Sequence, residues 1–220
     1  MTYTLRAQLL AEFLGTGILL CTIIGSGIMT GNLSPDNAGV ALFGNTVPPA
    51  SILFVLITMF APISGAHFNP AVTLTYVLRK EFPASKALMF VAMQLLGAVA
   101  GTMLANFMFC EPLISMAQYQ RFGPEQWVGE LVATSGLLLT ILVCLRTNPD
   151  SIPLAISLYV TAAIWFTSST CFANPAVSIG RAFSDTYSGL RLGDGLIFAL
   201  CQCLAVFIVL PLVKLVLEQK

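Results

Sequence analysis

The chain has 220 residues, of which 57% are hydrophobic and only 9% are charged, and ten basic residues balance ten acidic ones. A soluble domain carries roughly a quarter charged residues, so this composition excludes an ordinary soluble enzyme and indicates a membrane protein. The zero net charge gives no indication of nucleic-acid binding. Six scattered cysteines without a CxxC pair, together with a single histidine, make no metal-ligand pattern, and we expect neither metal nor cofactor.

Hydropathy predicts six full-length membrane spans, near residues 7–29, 48–65, 86–109, 127–146, 152–170 and 192–214. We interpret the first as a retained helix and not a signal peptide, because no small-residue cleavage site follows and the run carries Glu12. Two further apolar segments, 70–79 and 175–184, are too short to span. Ten helical residues reach about 15 Å, which is half of a hydrocarbon core of about 30 Å.

Each short segment begins with the same tripeptide, Asn69-Pro70-Ala71 in the first and Asn174-Pro175-Ala176 in the second. Asparagine is a strong helix N-cap, and proline is favoured at the first helical position. Each copy therefore starts a helix in the middle of apolar sequence. Non-helical backbone at that depth is tolerated only when it is buried in protein or lines a wet cavity, so the motifs predict a water-accessible interior.

Charge placement predicts the topology. With both termini in the cytoplasm, seven basic residues lie inside and three lie outside, which agrees with the positive-inside rule. The inner set is Arg6, Arg79, Lys80, Lys86, Arg146, Lys214 and Lys220, and the outer set is Arg121, Arg181 and Arg191. The halves, about 7–110 and 125–217, are then inverted, and a central site is expected where they meet. We predict an all-α membrane protein in which 1–220 form one domain of six transmembrane helices and two re-entrant half-helices.

Two acidic residues lie well inside spans, and they occupy matching places in the two halves. Glu12 and Glu130 each follow a small residue near the start of a half, and Gln94 and Gln202 form a second matched pair. Buried carboxylates are costly and usually hydrogen-bonded. One hypothesis is a proton relay; the other is a structural acceptor for the amides of the re-entrant loops. We prefer the structural role for all four residues, because no Lys, His or Arg within a span could relay a proton.

These features together, with the Ile63–Phe68 lead-in to the first motif, resemble the aquaporin superfamily over about residues 7–217. The resemblance implies a passive channel for small neutral solutes and no enzyme activity. It also implies a homotetramer in the lipid bilayer with one pore per subunit, without cofactor or nucleic acid. Gly97 and Gly101 would permit close helix contact. We expect a bacterial inner (plasma) membrane location with cytoplasmic termini.

The exclusion of cations follows from the predicted geometry. Two half-helices that meet N-terminus to N-terminus place two positive dipole ends at the pore centre, which is a barrier to hydronium and other cations. Asn69 and Asn174 would cap the helices through their side-chain oxygens and turn their NH2 donors to the lumen. Backbone carbonyls of the preceding loops would line the pore as acceptors, from Ala66, His67, Phe68, Thr170 and Phe172.

The selectivity filter departs from the family pattern. Water-selective members, and most glycerol-conducting ones, carry arginine directly after the second motif, where this chain has Val177. Alignment from the two motifs assigns the other three constriction positions to Pro49, Ala162 and Cys171. Such a ring of small or apolar residues predicts passage of solutes wider than water, such as glycerol, urea, or undissociated boric and arsenous acids. Residues 168–177 resemble bacterial members associated with arsenic resistance, which favours arsenite or its methylated forms.

Two alternatives for the function remain open at this point, a water-selective aquaporin and an ion-coupled secondary transporter. The transporter would need an acidic residue at the pore centre, and the sequence offers none.

Near the outer vestibule, Arg181 could supply the missing cation, or Asp185 could pair with it and hold it aside; we prefer the pairing. Loop 110–126 is the longest linker and is expected to cover the vestibule.

Overall fold

The computed structural model describes residues 3–218, and within them the chain forms nine α-helices. They are α1 (Leu5–Leu33), α2 (Ala38–Gly44), α3 (Val47–Ser64), α4 (Pro70–Leu78), α5 (Ala84–Met108), α6 (Pro124–Thr147), α7 (Ile152–Phe166), α8 (Pro175–Gly180) and α9 (Leu192–Val216). Short 3₁₀ turns at Pro149–Ser151 and Arg181–Phe183 precede α7 and extend α8. Residues 1, 2, 219 and 220 lie outside this description, among them Lys220 of the predicted inner set.

Six helical segments within residues 3–218 are long and apolar enough to cross a membrane. They are Leu5–Leu33, Ala38–Ser64, Ala84–Met108, Pro124–Thr147, Pro149–Phe166 and Leu192–Val216. The predicted fold class is therefore confirmed, with α4 and α8 as the two short helices between the spans.

Two features of the helices differ notably from the sequence prediction. The short helix α2 was not predicted; Asn37 caps it by accepting from the Val40 amide at 3.0 Å. The fifth span ends at Phe166 and not near residue 170, because Thr167 adopts an extended backbone conformation that ends the helix. Ser168 Oγ donates to the Glu125 carbonyl oxygen at 2.6 Å, which holds the segment after α7 to the start of α6.

The two halves of the chain pack in matching ways. α1 lies against α5 in the first half, α6 lies against α9 in the second, and α3 packs on α7 between the halves. The half-helices α4 and α8 each contact both α5 and α9, and they also contact each other. The same two long helices therefore hold both half-helices, and this brings the two Asn-Pro-Ala motifs together at the centre of the molecule.

Glycines allow α1 and α5 to approach closely. A Cβ built on Gly101 would lie 2.9 Å from the Cα of Gly17 and would overlap the Gly17 carbonyl oxygen. A Cβ on Gly97 would likewise overlap the carbonyl oxygen of Phe13. Small residues permit such close helix contact in membranes, so these two glycines serve a contact between two helices of one chain.

Replacing Gly101 with alanine is expected to destabilise the fold by about 1–3 kcal/mol, because the added methyl group meets backbone that cannot move aside easily. The measurement is the thermal unfolding midpoint of the purified protein in detergent. Gly193→Ala in α9 is the matched control, since a Cβ there has no neighbour within 4 Å. A Gly101→Ala midpoint no lower than that of Gly193→Ala would contradict the close packing of α1 on α5.

Candidate functional site

The two Asn-Pro-Ala motifs form the starts of α4 and α8. Asn69 Oδ1 accepts from the Ala71 amide at 2.9 Å, and Asn174 Oδ1 accepts from the amides of Ala176 and Val177 at 2.9 and 3.4 Å. Both asparagines have extended backbone, and a proline follows each at the first helical position. Capping of this kind satisfies amide groups that have no partner within the helix.

The asparagine amides also join the two loops to each other. Asn69 Nδ2 donates to the Ala173 carbonyl oxygen, and Asn174 Nδ2 donates to the Phe68 carbonyl oxygen, both at 2.8 Å. A primary amide has two N–H donors, so one donor of each asparagine is used in the cross-loop contact. This amends the expectation that the whole NH2 group faces the lumen, because one N–H of each asparagine is used between the loops and only the other remains.

The loops before the motifs have unusual backbone conformations. Positive φ values of 47° to 61° occur at Ala66, Phe68, Thr170, Cys171 and Ala173, in the left-handed region that non-glycine residues rarely adopt. The five residues predicted to present carbonyls, Ala66, His67, Phe68, Thr170 and Phe172, all line one cavity with Ala173. Because positive φ values are unfavourable for non-glycine residues, each loop needs contacts with the rest of the protein to hold this conformation.

In the first half, those contacts come from Glu12. Its Oε1 accepts from Ser64 Oγ at 2.6 Å and from the His67 amide at 3.0 Å. Its Oε2 accepts from the Phe68 amide at 2.7 Å and from Gln94 Nε2 at 2.8 Å. Glu12 and Gln94 are both fully buried. The carboxylate thus anchors the loop backbone immediately before α4.

The second half repeats this arrangement around Glu130. Its Oε1 accepts from the Phe172 amide at 2.9 Å, and its Oε2 accepts from the Ala173 amide at 2.8 Å and from Gln202 Nε2 at 2.6 Å. Gln202 also donates to Ser178 Oγ at 2.9 Å. The contacts of Glu12, Glu130, Gln94 and Gln202 are those of structural acceptors and donors for the re-entrant loops.

A cavity of about 330 Å³ runs along these loops and the two motifs. One wall is polar, with the loop backbone and the two asparagine side chains. The facing wall is aliphatic and comes from α3, α6 and α7, at Leu53, Ile57, Leu137, Ile141, Ile152, Ile156, Val160 and Ile164. Within residues 3–218 no group of three or more His, Cys, Asp or Glu side chains could hold a metal ion.

Three of the four predicted filter residues, Pro49, Cys171 and Val177, line this cavity. Ala162 does not; its side chain is exposed on the outside of the chain, and Ile164 lines the cavity in its place. The assignment of Ala162 is therefore wrong in this structure. The α7 residues that line the cavity are four positions apart and include Val160 and Ile164. Ala162 lies two positions from each of these, so its side chain points to the opposite side of the helix.

The preferred pairing of Arg181 with Asp185 is also wrong. Arg181 is buried and lines the cavity, where its Nε donates to the Ser188 carbonyl oxygen and its guanidinium carbon lies 3.7 Å from the Phe172 ring centroid. Asp185 is exposed and accepts instead from the Gln118 amide at 2.9 Å. A cation–π contact with Phe172 therefore replaces the predicted ion pair.

A second arginine at this end of the cavity was not predicted. Arg121 belongs to the loop between α5 and α6, and its Nη1 donates to the Ser169 carbonyl oxygen at 3.1 Å and to Thr170 Oγ1 at 3.2 Å. We call the cavity end formed by Arg121, Arg181, Phe172, Tyr187 and Asn45 the arginine mouth. No sequence signal distinguished Arg121, because a single basic residue in a loop is usually solvated.

The loop that carries Arg121 is held firmly over α8. The Ala117 amide donates to the Ala182 carbonyl oxygen at 2.9 Å, and the Arg191 amide donates to the Tyr119 carbonyl oxygen at 2.9 Å. The Arg121 amide itself donates to Asp194 Oδ2 at 3.0 Å. The predicted cover over the vestibule is thus an ordered segment that places a guanidinium group at the mouth.

Six membrane-crossing helices, two facing half-helices and a cavity between them define an integral membrane protein of the channel class. The chain belongs to the major intrinsic protein family, whose family model matches residues 1–217.

Known relatives agree with this assignment. The chain is 44% identical over 216 residues to the aquaglyceroporin AqpS of Rhizobium meliloti, covering 98% of this chain and 92% of that protein. It is 33% identical over 193 residues to a probable TIP-type aquaporin of Medicago truncatula, covering 81% and 75% of the two chains. The X-ray structure of the aquaglyceroporin from Plasmodium falciparum shares the fold, with a TM-score of 0.66 and 21% identity over 96% of this chain and all of that one.

Proposed function

We propose that the protein is a passive channel for small uncharged solutes wider than water. The expected solutes are metalloid hydroxides, such as arsenite and its methylated forms, and glycerol, with water also passing. The observation that carries the proposal is Val177, which stands directly after the second motif and lines the cavity with Pro49, Cys171 and Ile164. A filter of small and aliphatic side chains offers width and few donors. The similarity to the aquaglyceroporin AqpS of Rhizobium meliloti also supports a channel for solutes wider than water.

Cation exclusion in this channel rests on the half-helices and not on a filter arginine. The positive ends of α4 and α8 meet at Asn69 and Asn174, and one amide N–H of each asparagine is free to donate to a solute oxygen. A water molecule that accepts both bonds must aim its own protons away from that point, which interrupts a proton wire. The arginine mouth adds two more positive groups above this barrier.

The family membership supports a homotetramer in a bacterial plasma membrane, with both termini in the cytoplasm. In that orientation the arginine mouth opens to the outside, and the aliphatic end of the cavity near Leu145 and Ile152 opens to the cytoplasm.

The decisive experiment is a flux panel in proteoliposomes that compares water, glycerol, urea and arsenous acid under identical gradients. We expect solute fluxes well above those of empty liposomes for at least glycerol or arsenous acid. Water flux alone, with every larger solute at the empty-liposome rate, would overturn the wide-filter proposal in favour of a water-selective channel. Flux that requires a proton or sodium gradient would instead indicate a coupled transporter.

Mercurials are expected to block the channel through Cys171. It is the one cysteine among residues 3–218 that lines the cavity, whereas Cys201 and Cys203 lie on α9 away from it. A pore-lining thiol reached by water can bind soft Hg(II), and the bound metal would obstruct the constriction. The measurement is inhibition of solute flux by mercuric chloride in the wild type and in Cys171→Ser.

The matched control for this test is Cys201→Ser, which should stay as sensitive as the wild type. Serine keeps the small size of the side chain at both positions, so the fold is disturbed little. If Cys171→Ser remains as sensitive as the wild type, the thiol that reacts is elsewhere and Cys171 does not restrict the pore.

A further inference from the structure

The arginine mouth holds two positive charges close together. The guanidinium carbons of Arg121 and Arg181 lie 5.5 and 3.7 Å from the same Phe172 ring centroid. They are therefore no further apart than the sum of these distances, which is about 9 Å. Both arginines line the same cavity, so one small molecule in this end of it lies within reach of both groups.

Neither guanidinium group forms an ion pair with a carboxylate of residues 3–218. Within residues 3–218 the ion pairs are Arg79 with Glu81 and Arg191 with Asp194, and neither involves the arginine mouth. Like charges brought together without a counter-ion repel each other, and a buried cation is stabilised chiefly by pairing.

Three acidic residues on neighbouring segments accept hydrogen bonds from other groups. Both oxygens of Glu130 accept hydrogen bonds from the loop amides and from Gln202. Asp194 uses one oxygen for the Arg191 side chain and the other for the Arg121 backbone amide. Asp185 is exposed and accepts from the Gln118 amide. The two guanidinium groups are thus without an ion-pair partner because these carboxylates are held by other hydrogen bonds.

Several guanidinium donors remain free for a ligand. The Arg181 side chain makes one hydrogen bond within residues 3–218, from Nε to the Ser188 carbonyl oxygen, so both of its Nη groups are available. Arg121 uses Nη1 for Ser169 and Thr170, and its Nη2 has no partner among the described residues, whereas its Nε is enclosed and out of reach of a ligand. Burial lowers the pKa of the Arg121 guanidinium below its ordinary value, and Tyr119, Glu130 and Tyr187 oppose this only in part.

We propose that the arginine mouth is a binding site for a small monovalent oxyanion, held between Arg121 and Arg181. Planar guanidinium groups bind the oxygens of carboxylates and tetrahedral oxyanions through paired, charge-assisted hydrogen bonds. The Phe172 ring packs edge-on against the Phe198 ring, with 5.3 Å between the ring centroids. This contact holds in place the ring against which the Arg181 guanidinium group packs.

The bound anion stays at the mouth and does not permeate. Directly beyond it the cavity is lined by apolar side chains, among them Val177 and Pro49, which offer an anion no replacement for its hydration. An anion at this point occupies the entrance that neutral solutes must use. The site therefore makes the channel sensitive to anions, with lower solute flux when the site is filled.

The test uses methanesulfonate, a small oxyanion that stays charged at all working pH values and cannot cross the bilayer as a neutral acid. Proteoliposomes carry equal methanesulfonate on both faces, at constant ionic strength with chloride as the replacement, so channel orientation is irrelevant. The flux of the fastest solute of the panel is then measured. We expect a saturable decrease with a half-maximal concentration in the millimolar range.

Variants assign the effect to the two arginines. Arg121→Gln and Arg181→Gln should each raise the half-maximal concentration about tenfold, since each removes charge-assisted hydrogen bonds to the anion. Arg121→Lys keeps the charge without the planar fork and should fall between wild type and Arg121→Gln. Arg146→Gln is the matched control, because Arg146 is exposed, forms no ion pair within residues 3–218 and does not line the cavity. It should respond as the wild type does.

A calorimetric titration of the detergent-solubilised protein with sodium methanesulfonate reports binding without any flux. This separates the anion site from the proposed solute range, which can fail without affecting the titration. Arg121 lies in a loop, so Arg121→Gln remains informative even if Arg181→Gln fails to fold. The proposal is overturned if the wild type shows no saturable response by either measurement, or if Arg121→Gln responds as Arg146→Gln does.

Discussion

Replacing Val177 with arginine is expected to lower the flux of solutes larger than water at least about tenfold, equivalent to about 1.4 kcal/mol of barrier, while water flux falls much less. Val177 lies in the first turn of α8 and lines the cavity. An arginine at this position extends well beyond the valine methyl groups and introduces five N–H donors. The lumen is where it has room, because the rest of the Val177 environment is a packed apolar cluster.

Arg181 strengthens this expectation. It stands four residues after Val177, which places the two side chains on the same face of the segment about 6 Å apart. Like charges at this spacing repel, so the new guanidinium should turn away from Arg181 and toward the constriction. Val177→Leu is the matched control, since it adds bulk without charge, and it should reduce large-solute flux only slightly. Equal loss of water and large-solute flux, with expression and assembly intact, would show that Val177 does not set selectivity.

The sequence was sufficient for the features that local chemistry determines. Hydropathy located the spans, and the asparagine–proline pairs located the starts of α4 and α8, because capping and proline geometry act within a few residues. Glu12 and Glu130 could be recognised as structural acceptors because an unpaired carboxylate is too costly inside a membrane. Each of these inferences depends on one residue and its immediate neighbours.

The filter position on α7 needed information that spacing does not carry. Counting back from the second motif to Ala162 assumes a connection of standard length, but α7 ends at Phe166 and the segment after it is held to the start of α6. A change of two residues in such a connection rotates the helix assignment by about half a turn. Ile164 therefore lines the cavity where an alanine was expected, and the constriction is more aliphatic than the sequence suggested.

The arginine mouth could not be predicted from the sequence for a different reason. Arg181 and Asp185 are one helical turn apart and suggested an ion pair, but the chain leaves the helix after Phe183 and Asp185 turns to the loop at Gln118. Arg121 reaches the cavity only because tertiary hydrogen bonds fold its loop over α8. Contacts between distant segments decide both cases, and no local pattern encodes them.

The second large effect is expected from Asn174→Asp, which should weaken the exclusion of cations. The Asn174 side chain accepts from the Ala176 amide through Oδ1 and donates to the Phe68 carbonyl oxygen at 2.8 Å through Nδ2. A carboxylate keeps the first contact and replaces the second by repulsion between two acceptors. It also places a negative charge at the positive end of α8, where the helix dipole otherwise repels cations. A barrier lower by about 1.4 kcal/mol raises cation flux tenfold.

The measurement is proton and sodium conductance in proteoliposomes under a pH or sodium gradient, beside neutral-solute flux in the same preparation. Asn174→Ala is the control, because it removes the contact with Phe68, together with the cap on the Ala176 amide, without adding charge. We expect a cation conductance at least about tenfold higher in Asn174→Asp than in Asn174→Ala, with the wild type lowest. Equal conductances in the two variants would mean that the lost contact, and not the charge, opens the barrier. A wild-type proton conductance comparable to the neutral-solute flux would refute the account of exclusion by the two half-helices altogether.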